Sequence, residues 1–178
     1  KYPDIAGKCE VLRHPVPAAG TNPAPRAFAA RPVRATMMGN LNESNFDAAS
    51  RMLRALAGRD DLRVSLCTPV PRLLLKARGM SLDDVDYLGY LPEEQMPALL
   101  ADTDLFLLPH GLKGGYSEQE YRTIFPTRAA HYLAQARPLL AHCPDDSGLA
   151  QFLQRHHCAV CVGSADEDAV RAAFEQLL

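Results

Sequence analysis

The run Asp104-Leu-Phe-Leu-Leu-Pro109 restricts the fold more than any other part of the chain. Four consecutive apolar residues without polar alternation are the pattern of a strand buried on both faces. Such a strand belongs inside a parallel sheet covered by helices on each side. Pro109 ends the run, and the polar loop beyond it leads to a helix opened by Pro126. A buried strand that stops at a proline and feeds a helix through a polar loop places a ligand site at the carboxyl edge of the sheet.

The rest of the chain alternates in the same way. Arg34 to Met38 reads as a strand, and Ser44 with Asp47 marks a helix start whose inner face is Phe46, Ala49, Leu53 and Leu56. A strand over Leu62 to Cys67 precedes a helix around Leu73–Leu75, and Val85 to Leu88 is a third strand. Pro97 suits a helix first turn, where its missing N–H costs nothing. After the fourth strand at Leu105–Leu108 come the helix at Pro126, a fifth strand over Pro138–His142 and a helical stripe of Leu149, Phe152 and Leu153. Cys158–Val162 is a sixth strand. Ser164 and Glu167 read as a capping box for a last helix with Val170, Ala173, Phe174 and Leu177 inward. Six strands separated by helices predict an α/β fold: a Rossmann-like, doubly wound parallel sheet.

Ahead of this body, Cys9–Arg13 reads as a short entry strand. His14 to Pro32, with five prolines and Gly20, reads as an extended connector, so residues 1–33 stand apart from a domain over 34–178. A chain of 178 residues can bury a proper core. Its 19 basic and 21 acidic residues are dispersed, so no basic stripe calls for nucleic acid. Apolar runs are too short to span a membrane. The chain begins at Lys1 without a methionine, and a preceding segment is expected. Five cysteines at irregular spacing do not form a disulfide framework and point to a reducing cytoplasm.

Three stretches carry candidate chemistry. Gly39-Asn-Leu-Asn-Glu-Ser-Asn45 lies between a strand and a helix, where phosphate loops of such sheets sit; an ordinary turn is the other reading, and the spacing is not G-x-G-x-x-G. His110-Gly-Leu-Lys-Gly-Gly-Tyr116 is glycine-rich but is not a P-loop, and reads by default as a flexible loop. His156-His-Cys-Ala-Val-Cys161, with His142 and Cys143 near it in the fold, invites a metal. Ala159 and Val160 favour a strand over the tight turn that zinc needs, so no metal is expected. No Ser-His-Asp order, nucleophile elbow or H-E-x-x-H motif appears, so no catalytic residue is assigned.

In wording and order, Gly89-Tyr-Leu-Pro92 and Pro126-Thr-Arg-Ala-Ala-His-Tyr-Leu-Ala134 resemble the sugar-nucleotide half of GT-B glycosyltransferases of the family 4, or group 1, type. Glu10–Pro15 also matches the strand that enters that half. The resemblance implies a carboxyl-terminal donor domain that binds a UDP- or GDP-type sugar and works with an amino-terminal acceptor domain. Sugar transfer of this type uses no cofactor and no metal, and the location implied is cytoplasmic, at the inner membrane face.

Residue by residue, the resemblance puts Gly39, Asn40 and Asn45 at the diphosphate, with amides where the family has arginine and lysine. Gly89, Tyr90 and Leu91 fall at the nucleobase turn. Thr127 and Arg128 fall at the diphosphate, and His131 at the position of the glutamate that holds ribose. Counting back for the family's first glutamate reaches Thr123, which leaves Glu118 and Glu120 as nearby carboxylates. The replaced cations and carboxylate keep a second reading open: a catalytically silent GT-B-like domain that serves as a binding or assembly module.

Overall fold

A computed structural model describes residues 32–178. The strand expected over Cys9–Arg13 and the connector over residues 14–31 lie outside the described residues. Six strands form one sheet: β1 (Val33–Met38), β2 (Leu62–Cys67), β3 (Val85–Gly89), β4 (Leu105–Pro109), β5 (Leu139–His142) and β6 (Val160–Val162). Their spatial order is β3-β2-β1-β4-β5-β6, and every pairing is parallel. Chain order reverses between β1 and β4. In open α/β sheets the crevice at such a switch point, beyond the carboxyl ends of the strands, is where ligands bind.

Among the described residues seven α-helices cover the two faces: α1 (Phe46–Leu56), α2 (Arg72–Ala77), α3 (Met96–Asp102), α4 (Glu118–Thr123), α5 (Thr127–Leu133), α6 (Gly148–Arg155) and α7 (Glu167–Glu175). Strand alternation divides the core in two. Leu105 and Leu107 of β4 join a cluster with Ala49, Leu53, Leu75, Val170 and Phe174, roofed by α1, α2 and α7. Phe106 and Leu108 point the other way, into a cluster with Ala129, Tyr132, Leu149 and Leu153, roofed by α5 and α6, with α3 packed at its margin. All five residues of β4 are buried, as a continuous apolar run requires.

Four local expectations are corrected. The first helix begins at Phe46 with Asn45, not Ser44, at its N-cap position and without a side-chain cap; the N–H and hydroxyl of Ser44 are both spent on the Asn42 side chain. Asp47 instead pairs with Arg51 one turn on. The last helix starts from Asp166, whose carboxylate accepts the Asp168 N–H; Ser164 accepts from Asp166 N–H instead of forming a box with Glu167. β6 begins at Val160, because the Cys158 N–H is bonded to Leu153 O in finishing α6. The stretch after β4 holds the additional helix α4, closed at its start by a capping box of Ser117 and Glu120.

Candidate functional site

At the carboxyl end of β1 the backbone turns at Gly39, whose φ is +114°. A side chain there would sit 3.0 Å from the guanidinium carbon of Arg128, so the absence of a Cβ is what lets that guanidinium lie against the turn. Arg128 donates from Nη1 to Met38 O (3.2 Å) and from Nη2 to Asn40 O (3.4 Å). Tyr132, one turn further along α5, fixes the same strand end. Its hydroxyl accepts the Met38 N–H at 2.8 Å and lies 3.3 Å from Met38 O, to which it donates. The Tyr132 ring is fully buried and stacked on Phe106 with centroids 4.4 Å apart, and burial pushes its hydroxyl pKa well up.

The β1–α1 loop is held just as closely from within. Asn45 is buried and accepts the Asn42 N–H with Oδ1 (3.0 Å) while donating from Nδ2 to Asn40 O (3.1 Å). Both ends of its amide are therefore used inside the loop, and it holds the loop's shape. Asn40 itself is exposed.

The glycine-rich segment after β4 is packed, which corrects the expectation of a flexible loop. Gly111 (φ +103°) lies so close to the β1–α1 loop that a Cβ would fall 2.2 Å from Ser44 O, and one on Gly114 would fall 2.8 Å from Glu43 O. Tyr121, buried on α4, donates its hydroxyl to Ser44 O at 2.8 Å. His110 and Gly111 both donate their N–H to His142 O at 3.0 Å. The His110 ring is buried, with Nε2 2.9 Å from Tyr121 O. Burial, aided by the nearby charge of Arg128, lowers its pKa against the opposing Tyr121 bond, so the imidazole is neutral.

Between these pieces, at the β1–β4 switch point, lies a cavity of about 140 Å³ lined by Asn42, Ser44, Asn45, His110, Tyr116, Thr127 and Arg128, among others. Two larger hollows, of about 370 and 540 Å³, open at the amino ends of β2 and β3 and of β5 and β6. Topology favours the smaller one, because the carboxyl edge gathers loop backbones and an arginine where a sheet of this kind binds ligands.

Of the residues marked from the sequence, Gly39, Asn40, Asn45, Thr127 and Arg128 come together here. Gly89 (φ +71°), Tyr90 and Leu91 lie at the same edge but two strands away, after β3. Tyr90 is 73% exposed, while Leu91 packs against the second core cluster. Glu118 pairs with Arg122 on its own helix (2.7 Å). Glu120 serves the α4 capping box, and the Ser117 hydroxyl and N–H hold its pKa below the usual range. His131 is exposed on α5, and neither it nor the two glutamates line the cavity. Tyr121 was missed as a contributor, while His110 and Tyr116 lay in the glycine-rich stretch already singled out but were given no role as side chains. The place of His110 right after a buried strand was a readable signal, whereas its burial was not.

The fold seen here is shared with solved glycosyltransferase structures. The C-terminal domain of a glycosyl transferase group 1 family protein (LpcC) from Francisella tularensis superposes with a TM-score of 0.54 at 12% identity, covering 81% of this chain and 73% of that one. AviGT4, a glycosyltransferase involved in avilamycin A biosynthesis, gives 0.60 at 19% identity, over 92% of this chain and 48% of that one. Anabaena Alr3699/HepE, solved in complex with UDP and glucose, gives 0.55 at 16% identity, over 84% and 39%. The chain thus spans less than half the length of the latter two. No family model and no curated protein matches the sequence. The architecture is that of the C-terminal, Rossmann-like half of a GT-B glycosyltransferase.

Proposed function

We propose that this chain is the donor-binding half of a GT-B glycosyltransferase. It takes a nucleotide-diphosphate sugar of the UDP or GDP type along the carboxyl edge of the sheet. Transfer to a glycan or other acceptor is completed by an amino-terminal acceptor domain, in the cytoplasm or at the inner membrane face. The observation that carries this reading is the Arg128 guanidinium held against Gly39 at the β1–β4 crevice. Arg128 uses one N–H each for Met38 O and Asn40 O and has five to give, so the others remain for an oxyanion. A fixed cation at the diphosphate stabilises the leaving group as its charge develops. Gly89 to Leu91 would meet the nucleobase through main-chain groups, and the exposed Asn40 amide would supply a neutral hydrogen bond to phosphate. The structural likeness to HepE, which was solved with UDP and glucose, supports the same ligand class.

A specific observation also favours the silent-module reading. The amide of Asn45, at the position where the resemblance places a lysine, is used up inside its own loop and brings nothing to a diphosphate. Calorimetric titration of the chain with UDP, GDP, UDP-glucose and GDP-mannose decides between the two. Donor binding predicts saturable heat with at least one of them, weakened about 10- to 100-fold by Arg128→Ala, the scale of a charge-assisted hydrogen bond. A folded chain that gives no heat with any of the four at millimolar concentration is the silent module.

A further inference from the structure

We infer that His110 is the group in the switch-point cavity that recognises a sugar hydroxyl of the ligand. This assignment rests on the donor-binding reading above. The carbonyl of Tyr121 can only accept, so His110 Nε2 carries the proton and Nδ1 keeps its lone pair. The residue is only 4% exposed and is one of those lining the cavity, and among the described residues no hydrogen bond reaches Nδ1. The other buried polar side chains of the cavity are already committed: Ser44 donates to Asn42, and both ends of the Asn45 amide stay within the loop. Nδ1 is not among the buried unpartnered atoms, so it reaches solvent from an otherwise buried ring, and an acceptor open in this way is free to take a ligand's donor.

The chemistry of that donor follows from what Nδ1 is. A neutral imidazole nitrogen with a lone pair accepts a proton donor, and an ionised phosphate oxygen has none to offer. The nearby Arg128 guanidinium takes the anion, and His110 takes a hydroxyl. At about 140 Å³ the cavity is below the roughly 300 Å³ at which sites for whole drug-sized ligands begin. It therefore takes one part of a ligand whose remainder runs along the sheet edge. That part is polyhydroxylated, either the ribose or the transferred hexose.

The test is long-range ¹H–¹⁵N NMR of the chain labelled at its histidines, with UDP, GDP, UDP-glucose and GDP-mannose as probes. His110→Gln assigns the resonance and keeps an N–H donor for Tyr121 O while removing the Nδ1 lone pair. The expected result is that a bound probe moves the His110 Nδ1 signal upfield from its free-acceptor position. His110→Gln should then weaken that probe about 3- to 10-fold, the scale of one neutral hydrogen bond. If bare UDP or GDP produces both effects, the hydroxyl is the ribose's; if only the hexose nucleotides do, it is the transferred sugar's. Probes that bind while Nδ1 stays unmoved, with wild-type affinity in His110→Gln, overturn the role of His110 and leave the donor reading standing. No binding by any probe to the folded chain removes the donor reading, and this assignment with it.

Discussion

Two glycine turns stand at the same edge of the sheet, and they are built on opposite principles. The turn after β1, Gly39–Asn45, is held by Arg128 and Tyr132 from α5, by its own asparagines, and by the glycine-rich segment and Tyr121 from beyond β4. The turn after β3, Gly89–Leu91, is anchored through Gly89 O to the Thr68 N–H and through Leu91 in the core, and Tyr90 projects into solvent. Both follow strands, and both have glycine in the left-handed region. The difference teaches where the fold spends its long-range hydrogen bonds: the turn at the switch point is tied to elements distant in sequence, whereas the turn at the sheet edge leaves its side chain free.

The sharpest way to break the comparison is Gly111→Ala. The added Cβ would collide with Ser44 O at 2.2 Å, on a backbone already at φ +103°. Overpacking and left-handed strain together should cost about 3 kcal/mol or more, read by chemical denaturation. A near-neutral result would show that the glycine-rich segment does not rest on the β1 turn.

Next in size is Tyr132→Phe. It deletes the hydroxyl that both receives the Met38 N–H and reaches Met38 O, leaving buried backbone groups without that partner. The expected loss is about 1–3 kcal/mol with the aromatic stack kept. Hydrogen exchange should rise at Met38 and Gly39 and stay unchanged at Gly89–Leu91; equal changes at both turns would remove the distinction.

A pH titration extends the comparison. His142 is fully buried, its Nδ1–H donating to Val162 O (2.9 Å) and its Nε2 facing Arg51 Nη1 (2.9 Å), which in turn pairs with Asp47. Burial first, then the Arg51 charge, lowers its pKa against the opposing Val162 bond and the Asp47 charge, and His110 is lowered as well. With folded-state values below the unfolded one, the unfolded chain takes up protons first as pH falls. Stability conferred by the neutral rings is thus complete above about pH 6.5 and declines below it, until the folded-state values are passed. Because the His142 carbonyl holds the His110 and Gly111 N–H groups, exchange should increase there before it does at the β3 turn. A stability profile flat from about pH 7.5 to 5.5 would contradict this.

The smallest effect belongs to Tyr90→Ala. At 73% exposed, the side chain contributes little to folding, and stability should change by no more than about 0.5 kcal/mol. A larger loss would mean that the β3 turn is also locked.

Wherever a single element carries its own signal, the residues were legible. The all-apolar β4 announced a parallel sheet, and Pro97 and Pro126 sat at helix starts as their fixed φ and missing N–H dictate. One local signal was present but went unread: Ser117-Glu-Gln-Glu120 has the spacing of a capping box and marks the start of α4. Helix starts at Ser44 and Ser164 were misplaced by one and two residues. A serine that looks like a cap in sequence had its hydroxyl or N–H claimed by a neighbouring Asn or Asp, a competition decided in three dimensions.

By itself, then, the sequence determined the six strands of the sheet, their parallel arrangement and the helices other than α4, because periodicity and proline act within a few residues. Tertiary structure decided which candidates meet. It placed Arg128 over Gly39 across 89 positions of chain, turned Asn45 inward, gave the exposed Glu120 to a helix cap, and buried His110 with one nitrogen unpartnered among the described residues. Burial and long-range hydrogen bonds depend on how β1, β4 and α5 pack together, and no local pattern encodes that packing.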